Sequence, residues 1–106
     1  MYELSVINNG NGNYTIVVSG EIDTCSAPDF KEKLYSAIGD VPADVVLDFT
    51  NLEYIDSMGL GILVGALKRI KGHGHDIVIK NAGSTVKKLF RITGLDKVFV
   101  MEESQS

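Results

Sequence analysis

Apolar and polar positions alternate from the start of the chain. Tyr2, Leu4 and Val6 interleave with Glu3, Ser5 and Ile7, which predicts a strand with one face more buried. The run Asn8-Asn9-Gly10-Asn11-Gly12-Asn13 is dense in residues that tolerate positive φ and predicts a turn. The β-branched segment 14–19 then reads as the second strand of a hairpin. After it the period changes. Ser26 suits an N-cap and Pro28 the first turn, and Ala27, Phe30, Leu34, Ala37 and Ile38 share one helical face until Gly39. Val45-Val46-Leu47-Asp48-Phe49 is almost continuously apolar, which suits a buried interior strand.

A second helix is predicted from near Ser57 to about Lys71, with Leu60, Leu63, Val64, Leu67 and Ile70 as its buried stripe. Gly72-His73-Gly74-His75 reads as a loop and 76–80 as a strand built on Ile77, Val78 and Ile79. Ser84 is expected to cap a short helix carrying Val86, Leu89 and Phe90, stopped by Gly94. A last strand over 98–101 and a frayed tail over 102–106 complete the chain. The order β-β-α-β-α-β-α, with a final β, predicts an α/β fold. Its mixed, mostly parallel sheet would have four or five strands, an N-terminal antiparallel hairpin and flanking helices. The whole of 1–106 is expected to be one domain, without internal repeat or linker.

Composition narrows the partners. The net charge is −4 at pH 7, with 44% hydrophobic and 23% charged residues. An acidic domain with no basic stripe is a poor fit to nucleic acid, whose phosphates demand cations. Lys87, Lys88 and Arg91 make one small basic cluster, read as a solvated helix face. The longest apolar run is far short of the roughly 18 residues of a membrane span. Met1 leads straight into a polar alternating segment, so no signal peptide is expected. Cys25 is the single cysteine, which excludes an internal disulfide and suits a reducing, cytoplasmic setting.

Enzyme sites find little support. Ser57 follows a strand and precedes a helix, but Ile55-Asp56-Ser57-Met58-Gly59 lacks the glycine two residues before the serine of a nucleophile elbow. The bases of the usual kind, His73 and His75, lie beyond the far end of the same helix, roughly 20 Å away. The two histidines do not make a zinc spacing with Cys25. Gly59, Gly61 and Gly65 form G-x-G-x-x-x-G, which is neither a dinucleotide fingerprint nor a phosphate loop. A phosphoryl-accepting receiver domain would need an acidic pair, an acceptor Asp at a strand end and a later Lys. Glu21 and Asp23 supply acids, but Asp48 is expected inside its strand. No cofactor and no metal is expected.

On a helical wheel Ser57, Gly61, Gly65 and Lys68 fall on one side, away from the leucine stripe, with Met58, Ile62 and Arg69 adjoining. Mid-helix glycines cost about 1 kcal/mol each against alanine, so something retains them. Two readings stay open: a flat docking face, or close packing of helix on helix. Ser57 stands where unpaired amides and the helix dipole favour negative charge, so a phosphate there could be accepted without unfolding the helix. Asp56 could orient or polarise the hydroxyl, or either residue could simply cap the helix.

The segment Ile55-Asp56-Ser57-Met58-Gly59-Leu60-Gly61 closely resembles the phosphorylation-site signature of bacterial anti-sigma factor antagonists, a STAS-domain family. Gly20-Glu21-Ile22-Asp23 with Ala27-Pro28, Val46-Leu47-Asp48, and Thr93-Gly94-Leu95-Asp96 resemble further family landmarks in the same order. The resemblance implies a STAS fold and a protein that binds an anti-sigma factor and so frees a sigma factor. It implies that the anti-sigma factor is also a serine kinase acting on Ser57, with Asp56 in support, and that a serine phosphatase reverses the step. Nucleotide and metal belong to those partners. The partner-binding residues expected are Asp23, Met58, Gly59, Gly61, Ile62 and Gly65. Many members carry Ser or Thr where this chain has Met58, which adds apolar surface at the expected contact. Other STAS uses, a subunit of a signalling scaffold or of a lipid-transport complex, are the alternative.

Overall fold

The hairpin forms as its alternation requires. In the computed structural model, which describes residues 1–10, 12–39 and 43–103, β1 (Tyr2–Asn8) pairs antiparallel with β2 (Tyr14–Ile22). The turn between them closes with Asn9 N–H donating to the Asn13 carbonyl at 3.0 Å, and Gly10 and Gly12 take positive φ. Asn11 lies outside the described residues. Among those described, the order continues α1 (Ala27–Ile38), β3 (Val45–Asp48), β4 (Leu52–Ile55), α2 (Ser57–Lys71), β5 (Ile77–Lys80), α3 (Ser84–Thr93), a 3-10 turn over 95–97, and β6 (Val100–Glu102). The sheet runs β1-β2-β3-β5-β6, and β4 adds to β2 beside β3. Every pairing except β1–β2 is parallel.

The sheet therefore has six strands, and the strand not anticipated is β4. It is four residues long, with Leu52 and Ile55 buried and Glu53 and Tyr54 exposed, too short to establish a period. It exists because β2 changes partner along its length. Tyr14–Val17 pairs with β3, whereas Gly20–Ile22 pairs with β4 across a register shift. Gly20 makes the shift possible. Its φ is +88°, and a Cβ there would strike the Met1 carbonyl, which accepts a hydrogen bond from Glu21 N–H at 3.0 Å.

The sheet is covered on one face. Ile16, Leu47 and Ile79 stand opposite one another in register and are buried, while Thr15, Val46 and Val78 in the neighbouring row are half-buried. All three helices bury their residues in the same cluster: Phe30 and Leu34 from α1, Leu60, Leu63 and Leu67 from α2, Val86 and Phe90 from α3. The run 45–49 does form an interior strand, between β2 and β5, with one face buried and the other half-buried. Asp48, expected inside the strand, is instead its last residue, and its Oδ1 accepts from Thr50 N–H and Thr50 Oγ1 at 3.0 and 2.6 Å.

One cap assignment changes: Ser84 is the first residue of α3, with Gly83 at the N-cap position, whereas Ser26 stands at the N-cap of α1 as expected, without a side-chain cap bond. The helix stop at Gly94 has the expected left-handed conformation, φ 77°. The last strand falls at 100–102 and not 98–101, so Glu102, expected in a frayed tail, is held in β6, where its carbonyl accepts from Asn81 N–H at 3.0 Å; the end of that tail, 104–106, lies outside the described residues. Among the described residues no helix is long and apolar enough to cross a membrane.

Candidate functional site

The site begins with a division of labour between two neighbouring residues at the start of α2. Asp56 is the N-cap, extended at φ −92° and ψ −178°, and its Oδ1 accepts from Gly59 N–H at 3.0 Å. Its own N–H donates to the Ile22 carbonyl at 3.0 Å, tying the cap to the end of β2. Ser57 is the first helical residue and is exposed. Its hydroxyl is therefore released from capping and stands at the positive end of the helix dipole. Basic residues Lys68, Arg69 and Lys71 occupy the last turn, where they complement the opposite end.

The loop from β2 into α1 closes one side of the site. Asp23 shapes it: its Oδ1 accepts from Cys25 N–H and Ser26 N–H, both at 3.0 Å, and its N–H donates to Ser26 Oγ at 3.0 Å. The bonds from Ser26, backbone first, hold the Asp23 carboxyl below the usual carboxylate range, so it is ionised at neutral pH. Thr24 reaches out of this loop and donates its hydroxyl to Asp56 Oδ2 at 3.3 Å. That contact brings together two segments 32 residues apart. Neither periodicity nor motif reading marked Thr24, because its role depends on which loop faces the α2 start.

The expected contact residues separate into two groups. Asp23 is exposed, Met58 is 49% exposed, and a Cβ at Gly61 would meet nothing within 4 Å. Ile62 is half-buried beside them. Gly59 and Gly65 are closed over by neighbouring side chains, as the close-packing alternative of the two readings has it. Gly59 is buried, and a Cβ there would come within 2.6 Å of Ile55 Cγ1 and 3.0 Å of Ile22 Cγ2. Gly65 lies beneath Tyr35 of α1, whose hydroxyl a Cβ would strike. The Tyr35 hydroxyl donates to the Ile62 carbonyl at 3.4 Å, and the Arg69 guanidinium lies 5.2 Å from its ring centroid. Tyr35 was the unread signal: it stands beside the α1 core stripe and was not assigned to a contact.

The two histidines stay apart from this end of the molecule. His73 is exposed, and His75 Nδ1 lies 3.2 Å from Asp44 Oδ1, beyond the other end of α2. Lys87 is paired with Glu103, while Lys88 and Arg91 are exposed.

Known proteins share this fold. The sequence profile of the STAS domain matches residues 6–106. An anti-sigma-B factor antagonist of Staphylococcus aureus is 32% identical over 90 residues, covering 85% of this chain and 83% of that one. The crystal structure of an anti-sigma factor antagonist from Mycobacterium paratuberculosis aligns with a TM-score of 0.82 at 29% identity, over 96% of this chain and 86% of that one. The Bacillus cell fate determinant SpoIIAA, in its phosphorylated form, has the same fold, with a TM-score of 0.75 at 19% identity over 98% and 93% of the two chains. A profile match across nearly the full length and a relative above 30% identity agree: the chain belongs to the STAS-domain family.

Proposed function

We propose that this protein is an anti-sigma factor antagonist switched by phosphorylation of Ser57. In the unphosphorylated form it binds an anti-sigma factor with serine kinase activity, in the cytoplasm, and the sigma factor is released. The observation that carries the reading is the exposed Ser57 hydroxyl at the first position of α2, with the capping duty taken by Asp56. The names of the relatives supply the class of partner.

Phosphoryl transfer to Ser57 would form a bond from Oγ to the γ-phosphorus of ATP, break the bond to the departing ADP, and pass the hydroxyl proton to a base. The product carries about −1.5 to −2 charges at the helix start, where the dipole and first-turn amides accommodate an anion. The helix would persist while the surface changes charge beside Met58, Gly61 and Asp23. A partner seated on that surface would then face an added anion next to Asp56, and binding would fail by desolvation and repulsion. A serine phosphatase would restore the binding form.

The test is copurification from the native host, with mass spectrometry of partners and of Ser57. Label confined to Ser57, and not to Ser5, Ser19, Ser26, Ser36 or Ser84, is expected with an anti-sigma kinase bound. Ser57→Ala should bind constitutively, and Ser57→Asp should lose the partner while keeping its circular dichroism. Stoichiometric phosphate elsewhere with Ser57 bare refutes the switch. Recovery of a transporter or a signalling scaffold in place of an anti-sigma factor refutes the partner class.

A further inference from the structure

Asp and Ser are near equals as helix N-caps, and here they stand side by side. A helix capped by Ser57 would start one residue later, and its hydroxyl oxygen would be engaged with a first-turn amide. A helix capped by Asp56 leaves that hydroxyl free. The availability of Ser57 is therefore a question of cap register. Two features fix the register through the backbone: Asp56 N–H donates to the Ile22 carbonyl, and Gly59 packs without a side chain against Ile55 and Ile22. Thr24 acts on the carboxylate itself, holding Oδ2 at 3.3 Å while Oδ1 caps Gly59. With both oxygens engaged, the carboxylate cannot swing off the cap without breaking two hydrogen bonds. The loop that carries Thr24 is itself held by the Asp23 bonds to Cys25 and Ser26.

We propose that Thr24 is a positioning residue for Ser57, acting through Asp56. Its hydroxyl locks the Asp56 cap, keeps Ser57 unengaged for phosphoryl transfer, and joins the 23–26 loop to the α2 start as one recognition surface. This rests on the reading of Ser57 as the phosphate acceptor.

The experiment compares Thr24→Val, which removes the hydroxyl and keeps the branched shape, with Thr24→Ser, which restores it. On the partner-free protein, amide hydrogen exchange at Gly59 in Thr24→Val should rise about threefold, as expected for one lost exposed hydrogen bond. Exchange at Leu63 and Leu67 should stay unchanged. With the purified cognate kinase and ATP, kcat for labelling Ser57 should fall by a similar factor, with less change in KM, and Thr24→Ser should recover both. In an Asp56→Ala background, Thr24→Val should add nothing, since the two residues act in series. A wild-type protein that stays unlabelled at Ser57 overturns the phosphate-acceptor reading and the proposal with it. A labelled wild type that Thr24→Val matches in either Gly59 exchange or kcat overturns the proposal alone, as does failure of Thr24→Ser to rescue.

Discussion

Gly61 and Gly65 lie one turn apart on the same side of α2, and the two positions have opposite surroundings. Above Gly61 there is open space, whereas Gly65 is roofed by Tyr35. The difference comes from α1, whose Tyr35 lies over Gly65 and does not reach Gly61. One stripe of small residues therefore does two jobs. Near Ser57 it keeps the surface flat, and further along it lets two helices approach. Gly59 stands apart from both, because its missing side chain makes room for the β2 and β4 ends beneath the helix start.

These three glycines should respond differently to substitution. The largest effect is expected at Gly59. Gly59→Val would force a branched side chain against Ile55 and Ile22 in the core, at a cost of about 3 kcal/mol, at the upper end of overpacking. Urea unfolding measures it, and a wild-type midpoint would mean that the α2 start is looser than described. Gly65→Glu comes next. The Tyr35 ring must swing away and give up its bond to the Ile62 carbonyl. Tyr35 is half-buried and its hydroxyl is the movable end of the side chain, so the expected loss is about 1–2 kcal/mol. An unchanged or raised melting temperature would restore this position to the docking face.

The same substitution one turn earlier should reverse the sign. Gly61→Glu enters open space and replaces a poor helix former, so stability should hold or rise by up to about 1 kcal/mol. Partner affinity should nevertheless fall, since a charged side chain now stands about one turn from Ser57. Calorimetric titration with the partner, beside thermal unfolding of both glutamate variants, breaks or sharpens the comparison directly. Equal behaviour of the two would erase it.

The smallest effect belongs to the outer side of α1. Asp29 Oδ2 accepts from the Tyr2 hydroxyl at 2.6 Å and pairs with Lys33 at 3.3 Å. The Tyr2 bond, then Lys33, holds the Asp29 carboxyl below the usual carboxylate range. Its folded pKa is thus depressed. The stabilisation is present above the unfolded carboxylate pKa, near 4, and fades as pH falls through the lower folded value. Tyr2→Phe should lower the neutral plateau slightly and leave the low-pH end, where the interaction is already lost, almost unmoved, so that the acid limb flattens. A profile that superposes on wild type would assign no coupling to this pair.

Much of the fold was legible because its signals are local. The α2 range, the hairpin and the stop at Gly94 follow from periodicity, turn residues and positive φ, which neighbours in sequence determine. Strand β4 was not legible, since its four residues become a strand only when the second half of β2 offers them an edge. The core stripes were read well, yet Ala66 was missed as buried, because a small residue carries little hydrophobic signal until a neighbour closes over it.

At the site the same boundary appears. The sequence by itself determined that Asp56 and Ser57 open a helix, and that the glycines and Met58 share its early turns. Those are consequences of chain chemistry and of the helical repeat. The tertiary structure decided which of the two residues caps, through the Ile22 carbonyl and Thr24. It also decided which glycines stay open, through the path of α1. The reason is physical. A cap or a packing contact is a competition among partners, and partners distant in sequence enter that competition only once the sheet has brought them together.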